Sequence, residues 1–204
     1  MLAVFRPQIL FILLLLLLSS GCTTTKRLPV NFSAPNIGVS STKLDAELKS
    51  FTVSMARPDE AIGKIEVPIV WCHDILDFCP ISFYVGVWKT ALEEAFNRMA
   101  IFKDDSPKKV SLAVKILKFQ TLSAFPATHT SARYEIIDRS DGSIIFTTDI
   151  SASGEGRFKF DLFADDPVGS QSVDGINRSV QKNIIQFLQA LETVDIDKPM
   201  FPSN

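Results

Sequence analysis

Reactive side chains meet in one short stretch of the chain, at Cys72, His73 and Cys79. A cysteine beside a histidine can act as a nucleophile with its base, and three such side chains can bind a metal ion. Adjacent Cys and His rarely share a tetrahedral site, however, and a second C-x-x-C pair is absent from the sequence. In an oxidising compartment the simpler interpretation is a Cys72–Cys79 disulfide, with a metal site or free thiols as the alternatives.

Other patterns of enzyme active sites are incomplete. The second of the two histidines, His129, stands alone in a Thr-rich segment, and no G-x-S-x-G elbow exists. Gly154-Glu155-Gly156 lacks the third glycine of a dinucleotide-binding loop. S-x-x-K occurs without the S-D-N or K-T-G motifs that accompany it in penicillin-binding enzymes, at Ser40/Lys43, Ser106/Lys109 and Ser179/Lys182. We therefore predict a protein without catalytic residues, metal or cofactor, and keep a hydrolase or transferase as a remote alternative.

The N-terminus carries a targeting signal. Residues 1–21 contain 15 apolar residues and one charge, Arg6. The uninterrupted apolar run Ile9–Leu18 is too short to span a bilayer and is typical of a signal peptide. The following Ser19-Ser20-Gly21-Cys22 resembles the lipobox of bacterial lipoproteins, although Leu is usual at the position of Ser19. The resemblance implies that Cys22 becomes the N-terminus of the mature protein and carries diacylglycerol and an N-acyl chain. Ordinary secretion is the alternative.

The residues after Cys22 indicate where the anchor would lie. Thr23 replaces the Asp that retains enteric lipoproteins at the inner membrane, so the resemblance implies the periplasmic face of the outer membrane of a Gram-negative cell. Residues 22–41 are rich in Ser, Thr, Pro and Asn and predict a flexible tether. A domain over 42–193 and a tail over 194–204 complete the predicted organisation. The net charge of −2 excludes a strongly basic nucleic-acid-binding protein.

Hydrophobic periodicity in the predicted domain indicates the order βαβββα. The predicted elements are strands over Lys43–Ala56, Val110–Phe119, Thr130–Asp138 and Ile144–Ser153, and helices over Val85–Ala100 and Val173–Leu191. A change of alternation near Ser50 predicts a bulge, and Asp141-Gly142 predicts a hairpin turn. The expected fold class is α+β, with a mainly antiparallel sheet of about four strands and two amphipathic helices on one face.

Lipobox, tether and element order together resemble small periplasmic auxiliary lipoproteins of Gram-negative bacteria. This group includes the lipopolysaccharide-assembly lipoprotein of the outer membrane and the auxiliary lipoproteins of ABC-type envelope transporters. The segments Trp88–Phe119, Tyr134–Ile150 and Gly175–Leu191 carry the likeness. It implies a role in envelope assembly or transport through protein–protein contacts, and it assigns no ligand residue. A lipid- or glycan-binding module that uses a groove between helices and sheet is the alternative.

Two apolar segments are candidates for partner contact. Leu122, Phe125 and Pro126 lie between two predicted strands, where a role in the core is not evident. Phe158 and Phe160 continue the alternation beyond Gly154 and Gly156, which predict a bulge or bend there. Packing beneath the helices is the alternative for both segments. An exposed strand edge could also accept a strand from a partner.

Overall fold

The computed structural model describes residues 43–62, 81–121, 127–156 and 167–196. These residues form an α+β domain in the predicted order βαβββα. The elements are β1 (Glu47–Met55), α1 (Ile81–Met99), β2 (Lys109–Thr121), β3 (Ala127–Asp138), β4 (Ile144–Glu155) and α2 (Pro167–Leu191). Helix α2 begins at Pro167, which the sequence offers as a helix start six residues before the strong periodicity begins at Val173, since proline favours the first helical position.

The four strands form one sheet in the order β1-β2-β3-β4. The expectation of a mainly antiparallel sheet is wrong, because the sheet is mixed. Strand β1 runs parallel to β2, whereas β2, β3 and β4 pair antiparallel. The physical reason is the connection: a long crossover through α1 brings the chain back to the end of the sheet where β1 began, so β2 must run in the same direction.

Two local features lie where the sequence indicates them, whereas the register shifts between Ile116 and Lys118 on β2 and between Ile136 and Ile137 on β3 were not predicted. The register between β1 and β2 shifts between Leu48 and Ser50, as the change of alternation predicted. Gly142 has φ +76° in the turn between β3 and β4, which confirms the hairpin. Gly154, in contrast, stays in register with Thr128, so β4 has no bulge at this glycine.

The sheet has one face covered by helices and one open face. On the covered face, α2 packs on β3 and β4, while α1 packs on β1 and on α2. Alternate residues of every strand point into this core, including Leu112 and Val114 on β2 and Tyr134 and Ile136 on β3. The other residues of each strand form the open face, which is rich in Ser, Thr and charged side chains. This confirms two helices on one face.

The two apolar helix stripes differ in how well the sequence predicts them. On α2, apolar residues at 3/4 spacing predict a stripe from Val173 to Leu191, of which Ile176, Val180, Ile184, Phe187, Leu188 and Leu191 are buried. On α1, the same spacing predicts a stripe of Val85, Trp88, Leu92, Ala95, Phe96 and Met99. Trp88, Leu92 and Ala95 are buried as expected, but Val85, Phe96 and Met99 are only half-buried. The fully covered face of α1 also includes Tyr84, Val87 and Ala91. Helix α1 is therefore rotated from the predicted orientation, toward the centre of the sheet.

Candidate functional site

The residues predicted to carry sites lie outside the described part of the chain. This holds for the lipidation site Cys22, for the disulfide pair Cys72 and Cys79, and for His73. It also holds for the candidate contact residues Leu122, Phe125, Pro126, Phe158 and Phe160. These assignments stay predictions, and the site must be sought among the residues that the structure describes.

The described S-x-x-K serines have structural roles. Ser106 Oγ donates a hydrogen bond to the Asp45 carbonyl at 2.9 Å and accepts one from the Lys108 amide at 3.2 Å. Ser179 Oγ shares a hydrogen bond of 2.8 Å with Thr130 Oγ1 and also donates to the Ala152 carbonyl. Neither hydroxyl is bonded to the lysine of its motif. The structure therefore gives no support to a Ser–Lys nucleophile at these positions.

A chain of buried polar side chains connects both helices to the sheet. Trp88 Nε1 on α1 donates to Tyr134 Oη on β3 at 3.2 Å, and this hydroxyl donates to Asn183 Oδ1 on α2 at 2.7 Å. Asn183 Nδ2 then donates to the Ile150 carbonyl on β4 at 2.9 Å. All three side chains are fully buried, and the Tyr134 ring stacks on Phe187 with centroids 4.1 Å apart. The network thus fixes how both helices sit on the sheet.

Burial raises the pKa of Tyr134 far above the ordinary value of a tyrosine hydroxyl, and it also raises the pKa of Tyr84. Among the described residues, every fully buried side-chain nitrogen or oxygen has a hydrogen-bond partner. At the interface between helices and sheet, Tyr134 thus contacts both Trp88 and Phe187.

Helix α2 makes a close backbone contact with β4 at Gly154. A Cβ on this residue would lie 2.3 Å from the Gly175 carbonyl oxygen and 2.3 Å from the Ser179 amide nitrogen. The glycine is therefore needed for helix–strand packing, since any side chain would meet the helix backbone. Lys182 adds a hydrogen bond from Nζ to the Ser153 carbonyl at 3.0 Å.

The open face carries half-exposed ion pairs. Arg133 and Asp149 face each other on β3 and β4 and form two hydrogen bonds, of 2.7 and 2.8 Å. Arg133 holds the pKa of the Asp149 carboxyl below its usual range, mainly by hydrogen bonding. The Lys115 ammonium likewise lowers the pKa of Glu60, which it binds at 3.2 Å. A general acid near neutral pH needs a raised pKa, so these carboxyls are unsuited to that role.

Basic residues collect around the first residues of β1, on the same open face. Glu47 accepts hydrogen bonds from both Lys49 and Lys109, which lower its pKa. Arg139, after β3, reaches across to donate to Ser50 Oγ at 3.3 Å. Arg139 makes no ion pair with any described residue. Two lysines thus share one carboxylate, and Arg139 lies on the neighbouring Ser50; we call Glu47, Lys49, Lys109 and Arg139 the basic cluster.

Within the ranges that the structure describes, no group of three or more His, Cys, Asp or Glu side chains is arranged to hold a metal ion. Neither described helix combines the length and the hydropathy that crossing a bilayer requires.

Sequence reasoning missed the buried network and the basic cluster. Ser179 and Asn183 are four residues apart within the apolar stripe of α2, so polar residues inside this stripe were a usable signal. The basic cluster had no such signal, because Lys49, Lys109 and Arg139 are far apart in sequence and are joined only by strand register.

Comparisons with known proteins identify the fold and no family. No known family model matches the chain, and no curated protein matches it. A Xanthomonas campestris protein of the DUF330 family is 10% identical over 76% of this chain and 89% of its own, with a TM-score of 0.52. A candidate lipoprotein from Caulobacter crescentus is 17% identical over 53% and 81%, with a TM-score of 0.37. A hypothetical protein from Chlamydia trachomatis is 11% identical over 76% and 98%, with a TM-score of 0.42. The Xanthomonas protein therefore shares the fold of this chain.

Proposed function

We propose that this protein is a lipoprotein anchored through Cys22 to the periplasmic face of the outer membrane. Its domain assists envelope assembly or transport by contacting a protein partner and performs no catalysis. The observation that carries the proposal is the filled interface between helices and sheet, where Trp88, Tyr134 and Asn183 are buried and hydrogen-bonded to one another. A domain packed in this way acts through its outer surface.

The N-terminal sequence supports the anchored location. Residues 1–21 have the length and apolar run of a cleavable signal, and Cys22 follows as in a lipobox. Two or more acyl chains on one cysteine give membrane attachment that is stable, unlike attachment through a single chain. The folded domain begins soon after, because Leu44 and Ala46 are already buried.

The polar surface supports protein contact. The open face of the sheet presents paired charges, such as Arg133 with Asp149, and short hydroxyl side chains such as Ser151. Polar surfaces with satisfied hydrogen bonds are usual in non-obligate interfaces. The contacts of Tyr134 with Trp88 and Phe187 also favour the outer surface over a lipid- or glycan-binding groove between helices and sheet.

Anchoring is tested by comparing Cys22→Ala with the matched tether variant Thr25→Ala. Wild type and Thr25→Ala are expected to incorporate labelled fatty acid and to fractionate with the outer membrane. Cys22→Ala is expected to do neither, because the acylated thiol is gone. Fatty-acid labelling and retention of Cys22→Ala in the outer membrane would contradict lipidation.

Partner contact is tested by crosslinking in intact envelopes. A photoreactive residue is placed at Ser151, on the open face, and at Lys89, on the exposed side of α1, as a control. A discrete protein adduct at Ser151 that is absent at Lys89 is the expected result. Adducts with lipid alone would favour the lipid-binding alternative, and recovery of the uncrosslinked chain from both positions would count against both functions.

A further inference from the structure

We propose that the outer edge of β1 is a docking site for an extended segment of a partner protein. The segment adds to the sheet as a fifth strand and places acidic residues beside the basic cluster. This inference rests on the proposed function in protein contact and names the kind of partner segment that the domain takes.

Among the described residues, no strand pairs with the outer edge of β1. The Ala56 amide donates to the Ile116 carbonyl at 2.8 Å, and Glu47 donates to the Lys108 carbonyl at 2.8 Å. The N–H and C=O groups of alternate residues point to opposite edges of a strand. Counted back from Ala56, those of Phe51, Val53 and Met55 therefore point away from β2. The bulge between Leu48 and Ser50 changes the alternation, so that Glu47 again points toward β2. No hydrogen bond to these outward groups is found within the described residues. Such a row of donors and acceptors matches another extended strand.

The side chains beside this edge define an alternating partner. Phe51, Val53 and Met55 point to the covered face and are only half-buried, next to half-buried Phe96 on α1. On the open face, Thr52 and its neighbours in β1 are exposed and hydroxylated. A fifth strand would therefore place apolar residues over the Phe51–Phe96 side and polar residues on the open face.

The charges at the start of β1 define one end of the partner segment. Lys49 and Lys109 share the single carboxylate of Glu47, and Arg139, bonded to Ser50 Oγ, makes no ion pair with a described residue, which leaves positive charge uncompensated within the basic cluster. Side chains of Lys49 and Lys109 keep 43% and 40% exposure, so both remain open to a further anion. Acidic residues on the docked strand would complement this end, which steers association and sets the strand position.

The opposite edge strand is less available. Strand β4 lies under α2, whose side chains already donate to the carbonyls of Ile150, Ala152 and Ser153. Within the described residues, β1 receives no hydrogen bond from a helix side chain. Strand addition is therefore assigned to β1.

The outer edge of β1 is tested first by hydrogen exchange at single residues. The mature chain, with its anchor in detergent micelles, is measured alone at several concentrations. The amides of Phe51, Val53 and Met55 are expected to exchange faster than those of Thr52 and Ser54, which bond to β2. Outward amides that are already protected at the lowest concentration would overturn the proposal. Protection that grows with protein concentration would replace the partner by a second copy of this chain.

The partner chemistry is tested with synthetic strands. The probes are peptides of alternating Val and Thr with two Glu residues at each end. A pair of Glu residues then lies beside the basic cluster whether the peptide runs parallel or antiparallel to β1. Binding is expected to slow exchange at Phe51, Val53 and Met55. Two Lys residues in place of Glu should weaken binding about threefold or more, and N-methylation of alternate amides should abolish it. Equal binding of the Glu and Lys peptides would overturn the charge assignment, and equal binding of the N-methylated peptides would overturn strand addition.

Two variants locate the peptide on the protein. Val53→Pro removes one outward N–H without removing a bond to β2, and it should lower affinity about tenfold. Arg139→Gln should lower affinity for the Glu peptides about threefold, whereas the exposed Arg98→Gln on α1 should not change it. If Val53→Pro fails to fold, the N-methylated peptides decide the same point. If the peptides fail to bind but the envelope crosslinks at Ser151 are found, strand addition at β1 is wrong and the proposed function in protein contact stands. If those crosslinks are absent, the proposed function itself is wrong.

Discussion

The two outer strands of the sheet are covered in different ways. On the β4 side, α2 meets the strand backbone at Gly154, and its Ser179, Lys182 and Asn183 donate to β4 carbonyls. On the β1 side, α1 makes apolar contacts such as the edge-to-face pair of Phe51 and Phe96, with centroids 5.9 Å apart.

The difference shows how one domain can combine rigidity with a surface for a partner. Hydrogen bonds and close backbone contact tolerate little displacement, so α2 and β4 hold the architecture. Half-buried apolar side chains, and an outer edge without a strand partner among the described residues, leave β1 able to gain from an added strand. We therefore expect substitutions at the contacts between α2 and β4 to destabilise the domain most, and substitutions on the exposed side of α1 to be tolerated or even stabilising.

The largest effect is expected for Gly154→Ala. The new Cβ would overlap backbone atoms of Gly175 and Ser179, each 2.3 Å away, and neither can move unless α2 shifts. We expect a loss of about 3 kcal/mol in the free energy of unfolding, measured by chemical denaturation. Gly86→Ala is the matched control on α1, where nothing lies within 4 Å of the new Cβ. It should stabilise the domain by about 1 kcal/mol, because alanine favours helix. Equal effects at both glycines would contradict the difference between the two sides.

Asn183→Leu is expected to cost about 2–3 kcal/mol in the free energy of unfolding. It removes the acceptor of the Tyr134 hydroxyl and the side-chain donor to the Ile150 carbonyl inside the core. Asn97→Leu, on the exposed side of α1, is the matched control and should change stability by less than about 0.5 kcal/mol. A small effect at Asn183 would mean that the buried network does not hold α2 in place.

Ala100→Gly should stabilise the protein by about 1 kcal/mol. Ala100 follows α1 with φ +44°, a left-handed conformation that glycine adopts without steric cost. Its amide donates to the Phe96 carbonyl at 3.2 Å and closes the last turn of α1. Thermal unfolding of the variant measures the gain, with Ala190→Gly inside α2 as a control that should lose stability. Destabilisation by both would mean that Ala100 is not strained.

The smallest effect is expected for Asp149→Asn, on the open face. Its carboxylate is about two-fifths exposed, so solvent screening limits the contribution of the pair with Arg133 to about 0.5 kcal/mol at pH 7. Arg133 lowers the pKa of Asp149 in the folded protein. The stabilisation is therefore complete above the unfolded pKa of about 4 and is lost as the pH falls through the folded pKa. Wild type and variant should differ at pH 7 and converge in acid; a difference that persists at pH 2 would contradict the ionic cause.

Features set by neighbouring residues were predictable from the sequence. The bulge after Leu48 and the turn at Gly142 follow from a change of alternation and from an Asp-Gly pair. The buried stripe of α2 follows from helical spacing and includes Phe187. The stripe of α1 was predicted less well. Around the helix axis, apolar residues such as Val87 and Ala91 flank Trp88 on one side, and Val85 and Phe96 flank it on the other, so periodicity alone allows two orientations.

The candidate surface could not be predicted in the same way. The basic cluster joins Lys49, Lys109 and Arg139 only through the parallel register of β1 on β2, and strand direction depends on the path of the connection. Gly154 was interpreted as a bulge from its sequence neighbours, although its role is to admit the backbone of α2. Both features depend on residues that are distant along the chain.

The sequence by itself determined the elements, their order and the N-terminal signal with Cys22, because periodicity, turn chemistry and targeting motifs are local. Only the tertiary structure decided that β1 is parallel to β2 and that Trp88, Tyr134 and Asn183 meet. It also decided that, within the described residues, one edge strand is bonded to a helix while the outer edge of β1 has no strand partner. Pairing and packing are long-range choices among many compatible arrangements, and the free energy of the whole core selects one of them.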